Sequence, residues 1–167
     1  MSSNATRIPC TPAGADSFRR TCARFATGIA VVTALDRAGS PHGMTANSFT
    51  SVSLEPPLVL ICIDNRAAIL KHLLAAEAIG INILTEGQSA LSVRFARPGE
   101  DRFGAVEWYA GEMGVPLIPD ALAVFECVVR QFVEAGDHQV LIAEARYVGW
   151  REERPLVYWN SGYGVLE

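Results

Sequence analysis

The amino-acid sequence predicts a mainly β protein, a small β-barrel with a few peripheral helices. Several short runs of strand-forming apolar residues are separated by glycine, proline and aspartate, whereas only a few segments show helical spacing. The helices are too few for a sheet in which a helix follows each parallel strand. The length of 167 residues suits a single domain with its own hydrophobic core.

Composition and charge exclude several classes of protein. Half of the residues are hydrophobic, 19% are charged and the net charge is -4, so no basic surface for nucleic acid is expected. No apolar run approaches the roughly 20 residues of a membrane span, and the polar N-terminus lacks the apolar core of a signal peptide. The four cysteines, which form no C-x-x-C pair, are Cys10, Cys22, Cys62 and Cys127. A reduced, cytoplasmic protein without a membrane partner is therefore expected.

The N-terminal region is predicted to contain one short helix. Residues 1–15 are expected to form a flexible lead, since proline and glycine interrupt them. Asp16 is a suitable N-cap for the helix, and Gly28 is expected to end it. The apolar face of this helix, with spacing i, i+4 and i+7, consists of Phe18, Cys22 and Phe25.

Three extended segments are predicted next. Residues 29–35 form a strand that a turn follows. Residues 43–52 are polar, rich in hydroxyl groups and extended. Residues 58–64 form a buried strand, introduced by Pro56 and Pro57.

Two helices and a strand are predicted in the middle of the chain. Residues 67–76 have an apolar stripe at helical spacing, and residues 79–84 form a strand. Thr85 and Gln88 have the spacing of a capping box, which predicts a helix that ends near Phe95.

The last third of the chain combines a long loop with long strands. Residues 97–119 are rich in glycine and proline, and a loop of this length is often a binding loop or a lid. Residues 122–134 and 139–148 are predicted as strands joined by a hairpin turn at 135–138, and a short strand at 156–159 follows.

Several common kinds of catalytic site have no motif in this sequence. No G-x-G-x-x-G follows a strand, and neither a P-loop nor G-x-S-x-G is present. The histidines His42, His72 and His138 are far apart in the sequence and lack H-E-x-x-H spacing, so no metal site is expected.

Three segments carry residues suited to binding, and each has a structural alternative. Segment 41–53 is dense in small hydrogen-bonding side chains, which suits a planar heterocycle with polar edges or, alternatively, an exposed edge strand. In an unbroken strand Thr45, Asn47 and Phe49 would share one face. Residues 136–138 suit a ligand contact or a simple hairpin turn. The arginines near helix ends, which suit a phosphate group or plain solvation, are Arg66, Arg94 and Arg97.

Taken together and in order, the motifs resemble the flavin reductase-like family, which includes the reductase components of two-component flavin monooxygenases. The resemblance covers about residues 16 to 166. The motifs that carry it are Phe25-Ala26-Thr27-Gly28, Val31-Val32-Thr33, the segment from His42 to Ser53, Pro56-Pro57-Leu58-Val59, Leu91-Ser92 with Phe95-Ala96, Gly136-Asp137-His138, and Pro155-Leu156 with Tyr158 and Tyr163.

The resemblance implies a fold and an activity. The fold is an FMN-binding split barrel over residues 16–167, usually a homodimer with sites near the subunit interface. The activity is hydride transfer from NADH or NADPH to FMN or FAD, with the reduced flavin supplied to a partner monooxygenase. No catalytic acid, base or metal is implied, because the two cofactors carry the redox chemistry. Two alternatives remain open, an electron carrier that keeps its FMN and an oxidase related to the pyridoxamine-phosphate oxidases.

The resemblance also implies site residues. Those implied for the flavin are Met44, Thr45, Ala46, Asn47, Ser48, Ser51, Cys62, Ile63, Arg66, Ser89, Phe95 and Arg97. Those implied for the nicotinamide are His138 and Tyr163. Family members often carry a serine or threonine where this chain has the sequence Asn65-Arg66-Ala67-Ala68, so the phosphate contact there is expected to be ionic.

Overall fold

A computed structural model describes residues 7–99 and 101–166. Most of the described chain is β-structure, and its largest element is an antiparallel sheet of seven strands in the order β3-β2-β6-β9-β10-β5-β4. The strands of this sheet are β2 (Ala30–Leu35), β3 (Pro41–Ala46), β4 (Thr50–Leu54), β5 (Pro57–Asp64), β6 (Ala78–Ile83), β9 (Ala123–Ala135) and β10 (His138–Trp150). The mainly β fold predicted from the sequence is confirmed.

Short elements surround the main sheet. The helices are α1 (Ala15–Cys22), α2 (Leu70–Ala75) and α3 (Ser89–Ala96), and a 3-10 turn, Glu86–Gln88, precedes α3. A small sheet consists of β1 (Thr27–Gly28), β11 (Val157–Trp159) and β12 (Gly162–Gly164), and a two-stranded ribbon consists of β7 (Tyr109–Ala110) and β8 (Pro116–Leu117). No helix in the part of the chain that the structure describes is long and apolar enough to cross a membrane.

The two edge strands of the main sheet are neighbours in the sequence. β3 and β4 lie at opposite ends of the strand order, yet only residues 47–49 separate them. The sheet must therefore curl until its edges approach each other. Ser48, within this connection, extends the β4–β5 pairing toward β3, because its hydroxyl accepts a hydrogen bond from the Cys62 amide at 3.0 Å and donates one to the Cys62 carbonyl at 3.1 Å, two residues beyond the pair of Thr50 and Leu60. The result is a barrel that is joined at one end of β3 and split along the rest of it.

The core has an inner and an outer part, and β2 contributes to both. Inside the barrel Val32 packs with residues such as Ile61, Ile81 and Leu141. On the outer face of β2, Val31 packs in a second cluster. The other buried members of that cluster are Ile29, Leu84, Phe95, Phe103, Ile118 and Leu156. Both faces of β2 are buried for this reason, which explains its nearly continuous apolar sequence.

Buried polar groups attach the long loop to the barrel. The Asn82 side chain accepts a hydrogen bond from the Ile118 amide at 2.8 Å and donates to the Val31 carbonyl at 3.1 Å. The carboxylate of Glu126, which is 4% exposed, accepts hydrogen bonds from the amides of Glu112 and Met113 at 2.9 and 2.6 Å. Residues 112–118 of the long loop are thus held by side chains of β6 and β9, and β7 and β8 are the strands that the structure describes in this loop.

Several local predictions are confirmed and others are wrong. The capping box at Thr85 and Gln88 is present. The prediction of one extended segment over 43–52 is wrong, because the segment contains the end of β3 and the start of β4. The chain leaves β2 at residues 47–49 and then pairs with β5, so the predicted alternation of side chains between two faces ends at Ala46. The N-cap of α1 is Gly14 and not Asp16. The helix ends at Cys22 and does not continue to Gly28, because Thr27 and Gly28 pair with β11. β12 was not predicted.

The predicted N-terminal lead is described only in part. Residues 7–14 have no regular secondary structure and are exposed. Residues 1–6 lie outside the described residues, as does Glu167 at the end of the predicted domain.

Gly80 is predicted to be essential for the contact between β6 and the long loop. A Cβ atom at this position would collide with the Thr33 hydroxyl and lie 2.7 Å from the Pro116 carbonyl oxygen, and Thr33 donates a hydrogen bond to that same carbonyl. We expect Gly80→Ala to lower the free energy of unfolding by about 2 kcal/mol, measured by urea denaturation. Gly87→Ala is the control, because a Cβ there meets open space. Equal destabilisation of both variants would contradict the prediction.

Candidate functional site

The carboxyl end of β3 and the turn after it carry four of the predicted flavin residues, Thr45 to Ser48. The Thr45 hydroxyl donates to the Ser92 carbonyl of α3 at 2.7 Å, and Ala46 is buried in the core. Asn47 is exposed, and residues 47–49 lie outside every strand, so their amides take no part in the sheet ladders. The hydroxyl groups of Thr45 and Ser48 thus bond within the chain, while the exposed Asn47 side chain is a potential donor to a ligand.

Tyr163 joins this surface through a residue that the sequence-based hypothesis did not assign. Its hydroxyl lies 2.8 Å from the Oγ atom of Ser92, which is fully buried. The ring of Tyr163 is 41% exposed and makes an edge contact with Tyr158 at 5.7 Å. Thr45, Ser92 and Tyr163 are therefore linked by consecutive hydrogen bonds. The sequence signal that could have identified Ser92 is the motif Leu91-Ser92, which is one of those that carry the family resemblance.

A second group of predicted residues lies where β5 ends and β10 begins. His138 pairs with Asp64 in the ladder between these strands. The Nδ1 atom of His138 lies 2.7 Å from the Asp137 carboxylate. Arg66 donates two hydrogen bonds to the Asp64 carboxylate, from Nε at 3.1 Å and from Nη2 at 2.9 Å. The Asn65 amide donates to the Asp137 carbonyl at 3.0 Å, which joins the two strand ends.

The charges of this second group are already paired within the chain. Hydrogen bonds from the side chain and the amide of Arg66 hold the pKa of Asp64 well below its usual range. The hydrogen bond with His138 lowers the pKa of Asp137. A phosphate group bound by Arg66 would have to compete with Asp64.

Two of the predicted flavin residues have no side-chain surface to offer a ligand. Ile63 is fully buried among the inward-facing residues of the barrel. Phe95 is fully buried as well, and its ring contacts that of Phe103 edge-on at 5.0 Å. Because both side chains pack the core, a contact of either residue with flavin would involve its backbone, and the two implied contacts stay predictions. Met44 is half-buried against the same inner core.

The residues predicted for phosphate are dispersed. Ser89 begins α3 and Arg97 follows its last turn, a separation of about 12 Å along the helix axis. Arg97 is exposed and accepts a hydrogen bond from Arg102 on its carbonyl at 2.9 Å. Ser51 is exposed on β4, and Cys62 is half-buried beside Ser48. One phosphate group would therefore not contact Ser89 and Arg97 equally.

The flavin-residue surface, formed by residues 45–48, Ser92 and Tyr163, has a small cavity beside it. This cavity measures about 180 Å³ and is lined by Asn47, Phe49 and Phe125 among others. Ligand pockets for small molecules generally measure about 300–1,000 Å³. Cavities of about 720 and 690 Å³ lie beside α2, and none of the predicted flavin residues lines them. The cavity at the predicted flavin residues is therefore smaller than a typical ligand pocket.

The comparison with known proteins decides the family. A family model described as a flavin reductase like domain matches residues 22–167. The chain belongs to the flavin reductase-like family. The resemblance carried by the sequence motifs is therefore confirmed.

Relatives and a solved structure extend this comparison. The NADPH-dependent flavin reductase of Lentzea aerocolonigenes is 42% identical over 144 residues, which are 84% of each chain. The reductase component of a flavin-dependent trigonelline monooxygenase from Acinetobacter baylyi is 44% identical over 83% of this chain. The NADH:FAD oxidoreductase of Streptomyces globisporus, solved with NAD and FAD fragments, has a TM-score of 0.89 at 34% identity and covers 96% of this chain and 98% of its own.

Some relatives are longer than this chain. The chain spans 45% of the relative from Acinetobacter baylyi, and it spans 45% and 64% of two relatives from Rhizobium meliloti.

The fold brings together two histidines that the sequence analysis treated as separate. The rings of His42 and His72 are stacked at 3.7 Å with an angle of 10° between their planes. The Nε2 atom of His42 lies 3.1 Å from the Asp36 carboxylate. Burial is the main cause of a lowered pKa at His72. Separation in sequence was thus a poor argument against a metal site here.

The depressed pKa of Asp64 is predicted to depend on Arg66. We expect Arg66→Gln to raise it toward about 3.9, measured by NMR titration of the side-chain carboxyl. The pKa of Asp64 is lower in the folded protein than in the unfolded chain. The interaction between Asp64 and Arg66 therefore stabilises the folded protein at pH values above the unfolded-state pKa, and this stabilisation is lost as the pH falls through the folded-state pKa. Arg97→Gln is the control, and an Asp64 pKa unchanged by Arg66→Gln would assign the shift to another group.

Proposed function

We propose that this protein is a flavin reductase, which transfers hydride from NADH or NADPH to FMN or FAD. The observation that carries the proposal is the surface formed by residues 45–48, Ser92 and Tyr163, in a chain that matches the family model over residues 22–167. The flavin reductases of Lentzea aerocolonigenes and Streptomyces globisporus support it through their identity and fold.

The residues present suit a planar heterocycle with polar edges. The turn at 47–49 offers the Asn47 side chain and amides outside the ladders, and Tyr163 offers a half-exposed aromatic ring. When bound, the nicotinamide and the flavin supply the redox chemistry. The protein's own contribution would be to bind the two cofactors next to each other in a fixed orientation.

Each side chain of the site acts by position. Ser92 holds the Tyr163 hydroxyl and so fixes the ring on the surface beside Thr45. Asp137 orients the imidazole of His138 through Nδ1. Amide donors near the polar edge of the flavin would stabilise the negative charge of its reduced form. Arg97 is the stronger candidate for the flavin phosphate, because Asp64 already occupies Arg66.

The activity is tested with the purified full chain, NADH or NADPH, and added FMN or FAD. Oxidation of the nicotinamide is expected only when a flavin is added or retained, and turnover should continue beyond one equivalent of protein. An electron carrier that keeps its FMN would stop after a single turnover with free flavin as acceptor. Absence of flavin fluorescence quenching at micromolar protein concentration would contradict the proposal outright.

A monooxygenase is the proposed consumer of the reduced flavin. The relative from Acinetobacter baylyi is named as the reductase component of such an enzyme.

A homodimer is proposed on the basis of exposed apolar side chains. No residue of α1 is buried, and Phe18 and Phe25 are 64% and 78% exposed. Leu54 is 94% exposed at the end of β4, an edge strand of the main sheet. Apolar groups at an unpaired sheet edge are typical of an interface. A second copy packed against β4 would also cover Ser51, which is exposed on this strand in the single chain.

The dimer is predicted to dissociate when a charge is placed at Leu54. We expect Leu54→Asp to shift the protein from dimer to monomer in sedimentation velocity and to weaken flavin binding together with it. Leu74→Asp is the matched control, since Leu74 is a 55% exposed leucine on α2. A wild-type protein that sediments as a monomer would disprove the dimer, and a Leu54→Asp dimer would place the interface elsewhere.

His138 and Tyr163 belong to separate groups within one chain, which suggests that a complete nicotinamide site uses both subunits. His138 contacts Asp137 and pairs with Asp64, whereas Tyr163 contacts Ser92 and Tyr158. In a symmetric dimer each site would then combine His138 of one subunit with Tyr163 of the other.

Complementation between variants tests this arrangement. His138→Ala and Tyr163→Phe are each expected to raise the KM for the nicotinamide while flavin affinity is retained. After subunit exchange of an equal mixture, hybrid dimers carry one intact site, and activity should recover to about a quarter of the wild-type value. No recovery after exchange, verified by mass spectrometry, would mean that both residues of a site come from the same chain.

A further inference from the structure

Three side chains from separate elements converge at the amino end of β3. Asp36 follows β2, His42 is on β3, and His72 is in the last turn of α2. One potential metal-ligating atom of each lies within 4.8 Å of the others. Asp36, His42 and His72 form the histidine cluster. None of them is among the residues proposed for flavin or nicotinamide.

Asp36 is fixed in the orientation that a ligand requires. One of its carboxylate oxygens accepts hydrogen bonds from the amides of Ala38 and Ser40, each at 2.9 Å. The other oxygen remains for His42, at 3.1 Å from Nε2. Such hydrogen bonds behind a ligating carboxylate orient it and are typical of metal sites.

The spacing of these atoms suits one small cation. Two ligands at the usual zinc distances of about 2.0–2.2 Å are separated by about 3.4 Å in a tetrahedral site. The observed 3.1 Å between His42 and Asp36 is close to this value. Two imidazoles and one carboxylate are a donor set that zinc and its neighbours among the transition metals accept.

The histidine cluster is accessible from both sides. Asp36 and His72 line two cavities, of about 690 and 720 Å³, and His42 lines the smaller of them. An ion could therefore enter from solvent, and water could complete its coordination. Three protein ligands with one open position is the arrangement of an accessible zinc site.

We propose that Asp36, His42 and His72 bind a divalent transition-metal ion of the zinc class, with water as the fourth ligand. Binding requires one ring to leave the stack, because the lone pairs of parallel imidazoles do not converge on one point. His72 is the ring that turns, since His42 Nε2 already faces the Asp36 carboxylate and no hydrogen bond to the His72 side chain is found among the described residues. The ion replaces the hydrogen bond between His42 and Asp36, because Nε2 cannot make that bond and ligate the metal at once. The bound ion connects β3 with α2.

Neighbouring cations set an upper limit on the affinity. Lys71 precedes His72 and lines both cavities, Arg37 lines the larger and Arg102 the smaller. Their charges oppose a cation, while the carboxylates of Asp36 and Asp101 favour it. The site therefore takes up added zinc at micromolar concentration rather than retaining it through purification.

Zinc titration of the full chain tests the proposal. Cys10 and Cys22 are exposed thiols that could bind zinc on their own, so the parent protein carries Cys10→Ser and Cys22→Ser. His72→Phe removes the ligating nitrogen but keeps an aromatic ring to stack on His42. His138→Ala is the matched control. His138 also contacts an aspartate, but it is not part of a group of three potential metal ligands among the described residues.

The expected result is one zinc ion per chain, measured by calorimetry at neutral pH with zinc chloride. His72→Phe should weaken this binding at least about tenfold, and His138→Ala should leave it unchanged. Zinc should raise the melting temperature of the parent but not that of His72→Phe. X-ray absorption should show nitrogen and oxygen ligands alone at about 2.0–2.2 Å.

Two results would overturn the proposal. One is the absence of zinc binding by the parent at micromolar concentration, which would leave the cluster as a stacked pair packed between β3 and α2. The other is equal binding by the parent and a folded His72→Phe, which would place the ion elsewhere. The readouts are independent of flavin and of turnover, so a failure here leaves the proposed reductase activity untouched.

Discussion

The Ser48 hydroxyl ties the connection between the two edge strands, β3 and β4, to β5, and much of the site depends on that contact. It bonds both the amide and the carbonyl of Cys62, in register with the β4–β5 ladder, in which Thr50 pairs with Leu60. Because residues 47–49 must cross from β3 to this ladder, they lie outside every strand. The closure of the barrel and the position of the binding segment therefore have the same cause.

Local sequence signals predicted the elements whose stabilising contacts are themselves local. The capping box at Thr85 and Gln88 is formed within four residues, and the hairpin between β9 and β10 turns at Gly136, which has the positive φ of 63° that glycine tolerates. β2 and β5 were predicted because each is an apolar run long enough to be buried. These local signals predicted a small β-barrel, and the family resemblance added the particular split-barrel fold.

The features that the sequence did not predict depend on distant contacts. Nothing near Asn47 in the sequence indicates the turn, because its cause is the Cys62 backbone 14 positions beyond Ser48. His42 and His72 stack only because α2 packs back beside β3, and Ile63 and Phe95 face the core because of the register of β5 and the orientation of α3. Motif similarity gives the position of a residue in a family, but not the direction of its side chain.

β3 links the two ends of the structure that bear on function. Its carboxyl end carries Thr45 beside Ser92, and its amino end carries His42 beside His72. Between them Gly43 lies so close to Phe95 that a Cβ would be 2.5 Å from the ring, and its carbonyl accepts a hydrogen bond from Arg102 at 2.6 Å. These contacts hold the middle of β3 against α3 and the long loop. A change at His42 can therefore reach Thr45 only by moving the whole strand, and close packing resists that movement.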